Sequence, residues 1–281
     1  MPPKKRAKRS SSLQVPVASK HTAEGNHSEQ LRSRLCSGIP VIGASHIDET
    51  KLGAICEAPK FSEWISNFAA RKEINIREFH VTDVDFFGPV APEKLGFVKG
   101  YGVASDAATN DAIPAIAFIR GGSVAVLIVV HIRETAVRYI LLCQQLRFPV
   151  CGLQTEACAG MLDSRTSSVV GVVFSEVKEE TGFIINETDL IQLGQIKPSP
   201  GGSDEVIHLY AWETIISQEE FDEKQKNIYG EGAHEKIKLR FVEYDKFDDE
   251  LDEIGDVKAE CCWRRYQNHK KRAIDGKSNE V

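Results

Sequence analysis

Two short apolar runs dominate the middle of the chain, residues 124–130 (VAVLIVV) and 139–143 (YILLC), each bounded by polar segments. Runs of this length without polar alternation predict paired strands buried on both faces. Beyond them, Val169, Val170, Val173, Phe174 and Val177 recur at helical spacing, a stripe that packs a helix onto a core. Gly182 follows where a helix C-terminus favours a residue tolerant of positive φ. Upstream, residues 61–71 (FSEWISNFAAR) read as a helix with Phe61, Trp64, Ile65 and Phe68 on one side, and strand-like runs follow at 76–85, 96–103 and 115–119. Downstream, strands are predicted at 190–195, 206–213 (VIHLYAWE) and 236–242 (KIKLRFV). An acidic, helix-like segment covers 217–225 and a second acidic stretch covers 245–256. A closing helix spans 257–272, with a basic end that suits its dipole.

The chain has 281 residues, 42% hydrophobic and 27% charged, enough for one sizeable core with extensions or for two small domains. A net charge of −6 argues against a nucleic-acid coat. The seven cysteines, odd in number and mostly scattered, read as reduced thiols of an intracellular protein; Cys261 and Cys262 are adjacent within the closing helix. No apolar run approaches the roughly 18 residues of a membrane span, and the start lacks the apolar core of a secretory signal. Residues 1–35 are poor in large apolar side chains and rich in Lys, Arg and Ser, so a disordered basic tail is expected. Lys4, Lys5, Arg6, Lys8 and Arg9 form a compact cluster that reads equally as a nuclear localisation signal or as a basic tail with no address. A nuclear or cytoplasmic protein is expected; a mitochondrial presequence is the weaker, organellar alternative, because the cluster is too dense for an amphipathic helix.

The stretch that carries chemistry runs from Gly160 to Phe183. On a helix, Glu176 and Glu180 are i and i+4, one above the other, and Glu179 borders the same face. Like charges so close repel, and hard divalent cations held by carboxylate oxygens offset that well. Taken alone, a Glu-rich turn at a helix end is most often a solvated face.

The surrounding residues change that weighting. Gly160, Glu176, Val177, Glu179, Glu180, Gly182 and Phe183 resemble the Nudix box, a glycine followed by a glutamate and then R-E-(apolar)-x-E-E-x-G-(apolar). Ser175 stands at the arginine position, Thr166, Ser167 and Ser168 occupy the neighbourhood of the mid-loop glutamate, and the spacing from Gly160 is one residue longer than usual. The A-G-M-L-D segment is similar to the plant ADP-sugar diphosphatase branch. Arg147 ends a Q-x-R segment like that of nucleoside-diphosphate-sugar Nudix enzymes, which implies a phosphate or ribose contact; an arginine at a strand end is otherwise usually a surface charge. The segment from Glu156 to Gly160 resembles E-L-P-A-G, which implies that the Ala159 carbonyl is a metal ligand. Cys158 stands at the proline position and reads as a small buried residue. Residues 199–205 resemble the S-P-G-G-x-x-E mark of the ADP-ribose and nucleoside-diphosphate-sugar enzymes, which assigns substrate contacts to Gly201 and Glu205. A further family glutamate, metal ligand or base for the attacking water, corresponds to Glu235, with Glu231 in reserve.

The resemblance covers about residues 55–270. It implies an α/β protein, the Nudix α/β/α sandwich with a mixed sheet over 121–275. A small β-rich region over 50–120 precedes it, pairs with its copy in a homodimer and walls the substrate site. It further implies two or three Mg2+ or Mn2+ ions on Glu176, Glu179, Glu180 and the Ala159 carbonyl. Glu176, Glu179 and Glu235 are then the catalytic carboxylates, and the substrate is a nucleoside diphosphate sugar such as ADP-ribose, ADP-glucose or UDP-glucose. A nucleotide- or RNA-binding protein that keeps the fold and nucleotide pocket with weak or no hydrolysis is the alternative, favoured by Ser175 and by the missing mid-loop glutamate.

Overall fold

The computed structural model describes residues 32–162, 168–230 and 235–278. The basic cluster from Lys4 to Arg9, Thr166, Ser167 and Glu231 lie outside the described residues. A five-stranded sheet comes first, in the order β1 (Ser33–Cys36), β2 (Ile39–Gly43), β3 (Ile74–Phe86), β4 (Leu95–Asp106) and β5 (Ile116–Ile119). Helices α1 (Glu49–Glu57) and α2 (Pro59–Ala70) connect β2 to β3, the crossover that a parallel pair requires. Phe61, Ile65, Phe79, Val81 and Val98 are buried together in the core between helices and sheet. Helix α2 and strands β3, β4 and β5 match the expected pattern. Strands β1 and β2 and helix α1 were not predicted; β1 begins within the last three residues of the stretch expected to be a tail.

The larger sheet has eight strands. Its main path is β10 (Leu190–Ile196), β11 (Ile207–Ile216), β6 (Ser123–Ile132), β7 (Arg138–Arg147), β13 (Ile237–Glu243) and β12 (Ile228–Tyr229). β6 and β11 are parallel through ten residue pairs, and the other pairings are antiparallel, so the sheet is mixed. Alternate residues of β6 enter different cores. Val124, Val126, Ile128 and Val130 face one core with Val172, Val173 and Val177 of α3 (Val169–Thr181) and Phe221 of α4 (Gln218–Lys224). Ala125, Leu127 and Val129 face the other, with Phe247, Leu251 and Ile254 of α5 (Phe247–Ile254) and Trp263 and Tyr266 of α6 (Val257–Ser278). This is why the run is apolar at every position. The α/β/α sandwich is the architecture observed.

The centre of the large sheet is split. β6 and β7 pair with each other only over Ile128–His131 and Arg138–Leu141. Beyond that point β8 (Gly152–Glu156) pairs with β7, and β9 (Cys158–Met161) pairs with the start of β6. The segment crosses between them at Ala157, whose amide donates to Asp256 Oδ2 at 2.9 Å. Asp256 also accepts from the Ala259 amide at 3.2 Å, so one carboxylate caps the start of α6 and fixes the crossing. Among the described residues, no helix is long and apolar enough to cross a membrane.

Candidate active site

Helix α3 presents the glutamates, and its ends fix their rotation. Ser168 Oγ accepts from the Gly171 amide at 3.0 Å, and Gly182 ends the helix at φ 70°, with the Tyr229 ring where a side chain would project. Val172 enters the core in the role expected of Val170; Val169 and Phe174 only border it. This rotation sends Glu180 inward and leaves Ser175 and Glu179 exposed, with Glu176 half-buried between.

Glu176 and Glu180 of α3 both pack against β9. Gly160 passes directly under the Glu176 carboxylate, which occupies the space a Cβ at 160 would take. The glycine at the head of the motif thus permits close approach of strand and carboxylate. Glu180, only 3% exposed, accepts from the Ala159 amide at 3.1 Å and from the Cys143 thiol at 3.5 Å. Burial pushes its carboxyl up to about 7, against the opposing hydrogen bonds from Cys158, the Ala159 amide and Cys143. Glu179 is tied to the neighbouring loop through its backbone: its carbonyl accepts from the Gly230 amide at 3.0 Å. Glu235 packs its side chain on Gly230, which brings it to the same end of α3. Carboxylates gathered on one strand and one helix end form an oxygen donor set that suits a hard divalent cation.

Arg147 sits at the end of β7 and is bonded to Glu156, Nε to Oε1 at 2.6 Å. Glu156 is buried and also accepts from Lys258 Nζ at 3.0 Å and from Gln145 Nε2 at 3.3 Å. Burial opposes the charge on Arg147, but Glu156, Glu180 and Glu235 outweigh it and raise its pKa. The guanidinium therefore stays charged beside the carboxylate set.

Glu205 is braced at the start of β6. It accepts from Ser123 Oγ at 3.0 Å and pairs with Arg120 at 3.4 Å. Asp204 beside it accepts from the Arg120 amide at 2.8 Å, and Phe118 of β5 donates to the Gly202 carbonyl at 2.8 Å. The Ser-Pro-Gly-Gly loop is thereby fastened to the small sheet, while Gly201 at its turn touches no side chain where a Cβ would project.

Sequence reasoning missed the cleft in front of Glu176. It measures about 230 Å3 and is lined by Lys60, Phe87, Lys94, Met161, Leu162 and Glu176 among others. Lys60 lies on α2 and Lys94 between β3 and β4, so both line the cleft from the side of the small sheet, where Lys60 Nζ donates to the Gly96 carbonyl at 2.9 Å. Nothing in the local sequence of either lysine marks it; only the packing of the two sheets does. The meeting of Cys143 and Cys158 was also missed, because 15 positions separate them along the chain.

No protein-family model matches the chain. Among curated proteins it is similar to Nudix hydrolase 14, chloroplastic, of Arabidopsis thaliana, with 30% identity over 200 residues. The match covers 66% of this chain and 63% of that protein, so the chain spans less than two thirds of the relative's length. Among solved structures it is similar to the crystal structure of an ADP compounds hydrolase, with a TM-score of 0.51 and 13% identity over 73% of this chain and 96% of that one. At that identity the likeness is one of fold.

Proposed function

The chain is a relative of the Nudix hydrolases, and from that premise we propose that it hydrolyses the diphosphate bond of a nucleoside diphosphate sugar. The observation that carries the reading is the seating of Glu176 over Gly160 and of Glu180 on the Ala159 amide, at the mouth of a cleft bearing Lys60 and Lys94. Adjacent phosphates carry negative charge that repels an attacking hydroxide, so the reaction needs positive charge on the substrate and an activated water. Mg2+ or Mn2+, held by Glu176, Glu179, Glu180 and the Ala159 carbonyl, would supply charge neutralisation and lower the pKa of a bound water. Glu235, or one of the helix glutamates, would take the proton of the attacking water as its oxygen bonds to phosphorus. The bridging P–O bond breaks, giving a nucleoside monophosphate and a sugar phosphate. Arg147 and Lys94 hold phosphate oxygens, and Glu205 with the loop at Gly201 orients the sugar.

The Ser-Pro-Gly-Gly-x-x-Glu loop supports this choice of substrate class. A homodimer through the small sheet belongs to the same proposal. Its strands leave Tyr101, Ile116 and Phe118 exposed, and sedimentation velocity should report twice the chain mass.

The test is product release with purified protein and Mg2+ or Mn2+ on ADP-ribose, ADP-glucose, UDP-glucose and diadenosine polyphosphates, with Glu180→Gln as control. AMP or UMP from the wild type and at least about a hundredfold less from the variant is the expected result, the scale of losing one essential electrostatic group. Ser175 is exposed at the position where the related box has arginine, and this favours a second reading, nucleotide binding without turnover. Saturable binding of the same compounds with no product would select that reading and overturn the first.

A further inference from the structure

The split in the large sheet brings together three residues from three elements: Cys143 from β7, Cys158 from β9 and Glu180 from α3. Their two sulfurs and a carboxylate oxygen all lie within 4.8 Å of one another. Both cysteines are fully buried, and Glu180 is 3% exposed. The set differs in kind from the oxygen ligands facing the cleft. Two sulfurs and one oxygen make a donor set of borderline softness, which selects against Mg2+ and for thiophilic ions. A cation would also suit the cluster electrostatically. Glu180 accepts from an amide and from the two thiols, all neutral donors, while the nearby Arg147 is bonded to Glu156. An anionic carboxylate in such surroundings is costly unless positive charge joins it.

We propose that Cys143, Cys158 and Glu180 form a binding site for one thiophilic divalent cation of the Zn2+ class, set behind the hard-cation site and sharing Glu180 with it. Coordination releases the two thiol protons to solvent and changes no oxidation state. Two thiolates, one carboxylate and the divalent ion carry a net charge of −1, and a tetrahedral ion keeps one position for water. Both thiols are raised above the ordinary cysteine range. For Cys143 the bond with Cys158 opposes the rise, and burial and Glu180 outweigh it, to about 11; for Cys158 the bond to Cys143 and burial act together. Binding is therefore coupled to proton release. Because Glu180 cannot serve both ions freely, the thiophilic ion should inhibit a reaction that uses Mg2+. That consequence rests on the hydrolase reading; the site itself does not.

The experiment titrates the reduced, metal-free full chain with Cd2+ alone and follows sulfur-to-cadmium absorption in the ultraviolet. Absorption saturating at one equivalent is expected. Losing a residue that merely supports a metal ligand costs about 10–100-fold in affinity, so Cys143→Ser and Cys158→Ala should each cost more than that. Cys56→Ser and Cys151→Ser serve as controls, since Cys56 neighbours Cys36 and Cys151 is exposed, and should leave the titration unchanged. Absence of saturable absorption, or absorption that survives Cys158→Ala and disappears with Cys56→Ser, overturns the site. Should either cysteine variant fail to fold, Glu180→Gln decides: it keeps both sulfurs, and an unchanged Cd2+ affinity would overturn the assignment. Stoichiometric Cd2+ binding by a protein without turnover would sink the hydrolase alone, and turnover without Cd2+ binding would sink the thiophilic site alone.

Discussion

Gly160 and Glu180 separate what the site costs from what it does. The three atoms nearest a Cβ at 160 all belong to the flexible side chain of Glu176, so Gly160→Ala should displace the Glu176 carboxylate while the fold gives way easily. The expected result is a loss of turnover of about a hundredfold or more, with unfolding free energy within about 1 kcal/mol of wild type. Glu180→Gln should act in the opposite sense on stability. A buried carboxylate satisfied only by neutral donors carries a desolvation penalty that an amide of the same shape does not. Without metal, this variant should be more stable than wild type by about 1–3 kcal/mol, on the scale of one poorly compensated buried polar group. Urea titrations of both variants, run beside the product assay, check the pair. Equal loss of activity and stability in Gly160→Ala would show that the glycine serves packing, and would remove the account of Glu176.

At the scale of elements, the start of α6 governs the place where the large sheet splits. Asp256 caps that helix, accepts from the Ala157 amide and pairs with Lys258 at 2.8 Å, all with 7% of its surface exposed. Asp256→Ala removes the cap, orphans a buried amide and leaves Lys258 with Glu156 alone. The sum should be a loss of about 2–4 kcal/mol, combining a lost cap with a broken buried pair; a loss under about 1 kcal/mol in chemical denaturation would contradict it. The same region shows where the sequence could and could not be read. β6, β7, β11, β13 and α6 were legible because burial on one or two faces writes a period into the chain. α5 was legible but passed over: Phe247, Leu251 and Ile254 recur at i, i+4 and i+7 within an acidic stretch that was read by its charge. β8 and β9 were not legible, being four or five residues long and without alternation, and only a family pattern marked them. The box glutamates were readable as a motif. The inward turn of Glu180, its meeting with two thiols, and the approach of Lys60 and Lys94 depend on contacts between elements far apart in sequence.

The whole molecule poses one further question, whether its two sheets fold together. The described residues form one unit, and the join is specific. Phe118 of β5 exchanges backbone bonds with Gly202 and Asp204, and the Asp204 carboxylate accepts from the amides of Arg120 and Gly121. The cleft in front of Glu176 has one wall from each sheet, so a site with fixed geometry requires this join to hold whenever substrate is bound. The three tryptophans report on the two halves separately, since Trp64 packs in the small core while Trp212 and Trp263 lie in the two cores of the large one. Unfolding followed by Trp64 alone, with the other two changed to Phe, should therefore coincide with unfolding followed by far-ultraviolet dichroism of the same variant. Asp204→Ala, which removes the acceptor of two partly buried amides, should separate the two transitions. For the proposed reaction, it should raise the Michaelis constant more than it lowers the turnover number, because the wall carrying Lys60 and Lys94 loses its anchor while the glutamates keep theirs. Coincident transitions in that variant would mean that the sheets are held by more than this loop, and separate transitions in the wild type would mean that the cleft is assembled only when substrate closes it.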